Sequence, residues 1–277
     1  MAGHGTRSRT RARAGDERGH GATIIAGVFQ SERFFRETWP TISQALEPEA
    51  GARGAVRWIV GVTGLKPGGR VLDSPCGFGR HAVALAQLGY KVTGVDFNET
   101  ELGRAREAAE AAGVVADFVG ADMRDTDFAS EFDLAVNLEQ SIGYFTDDED
   151  RQLIDRFWRA LVPGGAFVLD TRNRDQCVKS LPPEERRQFD DWTLRIENLF
   201  DAATSRWRAR WSRLASPAPA PTDAGEFLGE TDIRLYSAHE LAAMLRPERW
   251  SRVDLYGGLD GTPFSLDAPR LVLVARK

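Results

Sequence analysis

The sequence predicts an α/β fold: a seven-stranded, mostly parallel sheet with helices on both faces, plus a small antiparallel β insertion after strand 5. Three observations predict it. Short apolar runs alternate with segments of helical period from VLD (71–73) to GAFVLD (165–170). The period then changes to strict alternation of apolar and polar residues between 190 and 236. Finally, the first apolar run passes through an aspartate into the glycine loop of VLDSPCGFGRHA, residues 71–82, and on into a helix. Parallel strands need crossovers long enough to hold a helix, so the alternation implies parallel neighbours whose ligands gather at the carboxyl ends of the strands.

The elements follow in order. Residues 1–22 carry five arginines among glycines and almost nothing apolar, the composition of a disordered basic tail. Residues 23–65 read as an N-terminal helical cap, with Phe34, Phe35, Trp39, Ile42 and Leu46 on one face and Val56, Ile59 and Val60 on another; Pro40 kinks or splits the first helix. The main domain, 66–277, then alternates VLD, a helix over 78–88, KVTGVD (91–96), a helix over 98–112, VVADFV (114–119), FDLAVN (132–137), a helix over 147–161, and GAFVLD. In the insertion, Trp192, Leu194 and Ile196 alternate with polar residues, as do Trp207, Ala209 and Trp211 with Arg206, Arg208 and Arg210, which is a hairpin pattern. A third strand with Glu226, Glu230 and Asp232 on its outer face is expected to pair its acids with those arginines. A helix over 237–245, a strand near RVDLYGG and a final strand RLVLVAR complete the chain.

Composition narrows the function classes. With 277 residues and 42% hydrophobic content the chain can bury one sizeable core. A net charge of -5 gives no basic stripe for nucleic acid, so none is expected as a partner. Two cysteines, Cys76 and Cys177, make neither a disulfide framework nor a metal-ligand cluster, which fits a reduced, cytoplasmic setting and no metal. No apolar run reaches membrane-span length and no secretory-signal core precedes the domain, so a membrane is not expected. A small molecule is the expected substrate, and a homodimer stays open.

The glycine loop identifies a nucleotide-cofactor site. Backbone amides of Gly77 to Gly79 can approach a ligand closely, and the positive end of the next helix faces the same place. Read for its glycines alone, GFGRHA fits the dinucleotide pattern GxGxxG/A. Asp73 discriminates: a carboxylate at that strand end repels a pyrophosphate and attracts S-adenosylmethionine (SAM), which carries a sulfonium and an ammonium. Asp96 ends the next strand, where it can accept both ribose hydroxyls, and Phe97 follows. Asp122 and Met123, in GADMRD, suit an adenine amino group and ring face.

These motifs together resemble the class I SAM-dependent methyltransferases over about residues 55–277. The resemblance implies SAM as cofactor, with S-adenosylhomocysteine as product, held by the loop Asp73 through Gly79 with Pro75 and Cys76 inside it, by Asp96 and Phe97, by Asp122 and Met123, and by the strand-end residues Asn137 and Leu138. Pro75 departs from the family, which usually has glycine there. The resemblance also implies a final strand running antiparallel between the fifth and sixth, and a small-molecule acceptor of the kind found in natural-product biosynthesis. Two other readings remain: an NAD(P)-dependent oxidoreductase, and a module that holds SAM without catalysis.

Methyl transfer from a sulfonium needs alignment of two reactants, and a base only if the acceptor must lose a proton. Glu139, just past the fourth strand, is the leading base; Tyr144 is a hydrogen-bonding or aromatic wall, and His81 a weaker base at the helix start. Phe34 and Trp39 of the cap and Trp192 of the insertion are candidate pocket walls. Arg172 and Arg174, in DTRNRD, present planar forks suited to a substrate carboxylate or phosphate.

Overall fold

The computed structural model describes residue 1 and residues 31–47, 49–215, 225–246 and 248–277. The basic tail and the proline-rich loop at 216–222 therefore lie outside the described residues.

Among the described residues two sheets form. The larger contains β1 (Arg70–Asp73), β2 (Lys91–Asp96), β3 (Asp117–Gly120), β4 (Phe132–Asn137), β5 (Leu161–Arg172), β10 (Arg252–Tyr256) and β11 (Arg270–Arg276), in the order β10-β11-β5-β4-β1-β2-β3. Only β11 runs against the rest, pairing antiparallel with β5 on one side and β10 on the other. It lies where the sequence reading placed it.

Central strands are apolar because they are covered on both faces. Val71, Leu134, Val136, Val168 and Val272 point to one layer, where they meet Val56 and Ile59 of α2 (Glu49–Thr63) and Leu85 of α3 (Arg80–Gln87). Leu72, Ala135, Phe167 and Leu273 point to the other, against Leu153, Ile154 and Phe157 of α5 (Asp147–Ala160) and Leu241 of α7 (Ala238–Met244). The start of α5 is fixed by a capping box, in which Thr146 and Glu149 each satisfy the other's backbone N–H.

The second sheet has the order β6-β7-β8-β9, formed by β6 (Glu184–Gln188), β7 (Trp192–Asp201), β8 (Arg206–Ala215) and β9 (Glu226–Arg234), all antiparallel. It follows β5 through α6 (Arg174–Ser180). The sequence shows three of its strands. The fourth, EERRQ, is a polar edge strand with no apolar alternation to betray it. Leu194, Ile196, Trp207, Ala209 and Ile233 bury one face. On the other, Arg206 and Arg208 both reach Asp232, and Arg210 reaches Glu230 at 3.3 Å, so the arginine stripe is paired across the sheet as expected.

The N-terminal segment crosses from one sheet to the other. A π-helical turn (Phe34–Thr38) runs into α1 (Trp39–Leu46), with Pro40 in the first turn of α1 where its missing N–H costs nothing. Thr38 Oγ1 donates to Leu228 O of β9 at 2.6 Å, and Ser31 Oγ accepts from Asp232 N at 3.0 Å. On the opposite side Asn98 Nδ2 donates to Phe35 O at 2.7 Å. Asn98 is also the N-cap of α4 (Glu99–Ala111), accepting from Thr100 N at 2.9 Å. One side chain thus starts a helix and ties down the cap.

Candidate functional site

A cavity of about 260 Å³ opens at the carboxyl ends of β1, β2, β4 and β5, roofed by the N-terminal segment and walled on one side by the second sheet. Its floor is the glycine loop. Gly79 has φ +80, and a Cβ there would lie 2.7 Å from Ala105 Cβ, so only glycine lets the loop pack on α4. Gly77 has φ +52, lines the cavity, and an added Cβ would meet no protein atom within 4 Å. The loop leaves backbone bare toward the cavity, as a closely held ligand requires.

Asp96 lines this floor. Its Oδ2 accepts from Gly77 N and its Oδ1 from Asn98 N, both at 2.9 Å. The two amides fix the carboxylate plane, while each oxygen keeps a second lone pair for a hydroxyl. Burial raises the Asp96 pKa against the pull of those amides.

Asp73 behaves differently from the expectation that it would touch the cofactor. It is 1% exposed and lies beneath the loop, not on the cavity wall, because residues 74–77 fold over the end of β1. Burial pushes its pKa up to about 7, opposed by Arg80 and reinforced by Asp96, and its Oδ2 has no hydrogen-bond partner. Its influence on a ligand is through its field, from below. Asn137 is also displaced from the expected role: fully buried, it donates through Nδ2 to Ser74 O at 2.8 Å and so buttresses the loop from behind.

The other predicted cofactor residues, Pro75, Cys76, Phe97, Asp122, Met123 and Leu138, all line the cavity. Asp122 arrives already engaged: Arg124 Nη2 lies 2.8 Å from its Oδ2 and Arg124 Nε 3.1 Å from its Oδ1. Its pKa is lowered, since these bonds outweigh burial, the largest single influence. Arg36 covers the Phe97 ring at 4.6 Å.

The tip of β4 is strained. Glu139 and Gln140 adopt φ +55 and +64, a left-handed conformation that costs a non-glycine residue energy. The bend is held from β5, where Asp170 Oδ2 accepts from Glu139 N at 3.1 Å and Asp170 O from Gln140 N at 3.0 Å. It delivers both side chains to the cavity, where Gln140 Nε2 is buried without a partner.

Glu139 does not have the environment of a neutral-pH base. Burial favours its protonated form, but Arg270 and Arg80 outweigh burial and hold the carboxyl below its usual range; Arg80 Nη2 is 2.7 Å from Oε1. His81 lines the cavity too, but burial, the main cause, and Arg80 drive its pKa down to about 3. It is a neutral imidazole, a poor base. Tyr144 is a half-buried cavity wall whose phenol is pushed up by desolvation, so it does not ionise near neutrality. The better matched carboxyl was missed: Glu47, at the end of α1, lines the cavity, and burial raises it to about 7, opposed chiefly by Arg80 at 3.5 Å.

Of the predicted substrate contacts, Phe34, Trp39 and Arg172 line the cavity. Arg174 and Trp192 do not. The chain turns from strand to helix between Arg172 and Arg174, and Arg174 is directed instead to Ser205 Oγ at 2.9 Å and Asp175 Oδ1 at 3.1 Å. Trp192 stacks on Phe189, ring centroids 4.5 Å apart, at a remote part of the second sheet. Sequence reasoning also missed Arg80, Arg270 and Gln140. Arg80 had a signal, a cation directly after Gly79 among acids; Arg270, at the start of the last strand, had none.

These groups suit SAM: a carboxylate with two lone pairs for a ribose diol, backbone left bare at Gly77, a buried carboxyl beneath it with one unpartnered oxygen to favour positive charge, and an unpartnered amide donor in Gln140.

Residues 71–165 match the family model for a methyltransferase domain. Among curated relatives, the chain is similar to a ubiquinone biosynthesis O-methyltransferase of Pseudomonas aeruginosa (strain LESB58), 34% identical over 122 residues, 43% of this chain and 51% of that protein. The chain spans about half the length of the curated relatives it matches. Among solved structures it is similar to the CcbJ methyltransferase from Streptomyces caelestis, with a TM-score of 0.72, 19% identity and coverage of 88% of this chain and 97% of that one. It is also similar to an S-adenosylmethionine-dependent methyltransferase from Clostridium acetobutylicum ATCC 824, with a TM-score of 0.69, 15% identity and coverage of 87% and 97%.

Proposed function

We propose that this chain, which matches a methyltransferase-domain model over residues 71–165 and shares the fold of SAM-dependent methyltransferases, transfers a methyl group from SAM to a small-molecule acceptor. The observation that carries the reading is Asp96, an oriented carboxylate with spare lone pairs at the end of β2, beside a loop whose glycines leave its backbone bare. A dinucleotide would put its pyrophosphate against this floor, above Asp73 and Asp96, while Arg80, the nearest cation, is committed to Glu47 and Glu139. That charge arrangement supports SAM over NAD(P).

The bound cofactor supplies an electrophilic methyl group on a sulfonium. The residues of this chain orient and exclude. Asp96 would accept from the ribose hydroxyls, Phe97 and Met123 would hold the adenine, Asp122 would take its amino group with its remaining lone pairs, and Gln140 Nε2 would donate to the amino-acid portion. The aromatic roof of Phe34, Phe35 and Trp39 keeps water from the reacting centre. Where the acceptor is a hydroxyl or ammonium, Glu47 takes its proton, because a carboxyl that titrates near 7 is both ionised enough and basic enough at neutral pH. Glu139 holds Arg80 and Arg270 in place.

Calorimetry on the full chain tests this reading. S-adenosylhomocysteine should bind with low-micromolar or tighter affinity and Asp96→Ala should weaken it by about tenfold or more. Tight binding of NAD with none of S-adenosylhomocysteine would overturn it.

A further inference from the structure

Three arginines line the cavity: Arg80, Arg172 and Arg270. Two are neutralised in place. Arg80 faces Glu47 and Glu139, and Arg270 faces Asp170 and Glu139. Arg172, at the last position of β5, has no carboxylate within ion-pair distance among the described residues. Its guanidinium lies over the Trp207 ring, 4.7 Å from the centroid, and close enough to the Cys177 thiol to oppose the upward push of burial on its pKa. A half-buried guanidinium over a ring, with no carboxylate beside it, has given up water without gaining an anion. The Glu47, Glu139 and Asp170 carboxylates balance the three arginines only when all are ionised, and burial of Glu47 pushes its pKa to about 7, so below neutrality this end of the cavity carries surplus positive charge.

The walls around Arg172 are flat. Phe34 packs on Trp211 with centroids 5.0 Å apart, Phe35 meets Tyr144 edge-on at 4.9 Å, and Trp207 completes the wall below the guanidinium. Tyr144 lines the same cavity as Arg172 and Glu47 and feels the charge of both. Aromatic walls reward a planar guest by offset or edge-to-face contact, and the fork of a guanidinium matches a carboxylate in two parallel hydrogen bonds.

We propose that the acceptor is a planar aromatic acid, its ring held by Trp211 and Tyr144 and its carboxylate gripped by Arg172. This rests on the methyl-transfer reading above, and names its substrate class. An ammonium-bearing acceptor is disfavoured by the same geometry, since Arg172 already covers the face of Trp207 that would receive a cation.

The test uses the full chain saturated with S-adenosylhomocysteine and three probes: 4-hydroxybenzoate, 4-hydroxybenzamide and 4-hydroxybenzylamine. Wild type should bind the carboxylate about tenfold or more tightly than the amide or the amine, as a charge-assisted bidentate pair predicts. Arg172→Gln should erase that preference, Arg172→Lys should restore part of it, and S-adenosylhomocysteine affinity should stay within about twofold in both, which also reports that the variants fold. Equal binding of the three probes, binding of none by the loaded protein, or an undiminished preference in Arg172→Gln overturns the proposal. If S-adenosylhomocysteine itself fails to bind wild type, the methyl-transfer reading falls first and is seen to do so separately.

Discussion

Arg80 Nη2 lies 2.7 Å from Glu139 Oε1, and Arg80 Nε lies 3.5 Å from Glu47 Oε2, so one guanidinium joins two carboxyls of opposite character. Glu139 is held ionised by two arginines; Glu47 is left near the midpoint of its titration at neutral pH. Assigning the base by position along β4 points to the carboxyl held ionised rather than to the one that titrates near 7.

The pH dependence of kcat/KM separates them. Glu47 works as a base only when ionised, so for a hydroxyl or ammonium acceptor activity should fall as pH drops through about 7. Glu47→Gln should lower kcat by about 100-fold and flatten that acid limb. Glu139→Gln should lower kcat/KM yet keep the limb, because it loosens Arg80 without removing the proton acceptor. An unchanged limb in Glu47→Gln rules out the assignment.

Stability should respond to pH in the opposite sense from most folded proteins. Asp73, Glu47 and Asp150 all titrate higher in the folded chain than their ordinary values, at about 7, 7 and 6, with burial as the leading cause. Between about pH 5 and 7 the extra protons on these three outnumber the one that buried His81, held near 3, forgoes, so stability falls as pH rises through that window. Thermal melts of the ligand-free protein at pH 5.5 and 8 check this. Asp73→Asn should reduce the loss by about 2 kcal/mol while weakening S-adenosylhomocysteine. A melting temperature that climbs across the window in wild type contradicts the argument.

Asn98→Ala removes an N-cap and a tether at once. Thr100 N loses its acceptor and Phe35 O its donor, so the cost should be about 1 to 2 kcal/mol. Limited proteolysis should then cut first within 31–47, ahead of the sheet.

Arg174→Ala is expected to leave the acceptor KM unchanged, since Arg174 is occupied with Ser205 and Asp175 outside the cavity. A severalfold rise in KM would place it back at the site.

Much of this architecture can be read from the chain because buried parallel strands must be apolar and their ends must be polar. Strand β4 begins and ends at the residues its apolar run predicts, and Asp96 lines the cavity that its strand-end position anticipates. What escapes the sequence is direction. Arg172 and Arg174 are two residues apart and look equivalent, but a strand ends at one and a helix begins at the other, so they diverge. Asp73 ends its strand in the same manner as Asp96, but the loop after it folds back over the carboxylate. Arg270 and Glu47 come to the cavity from opposite ends of the chain, and no local pattern marks either.

The strap formed by the π-helical turn is moored on two shores, at Leu228 and Asp232 on one and at Asn98 on the other. With all three moorings intact the strap stays drawn across the cavity it roofs. Casting off any one of them would slacken that roof, so a change at Leu228, Asp232 or Asn98 can reach the cavity without touching its floor.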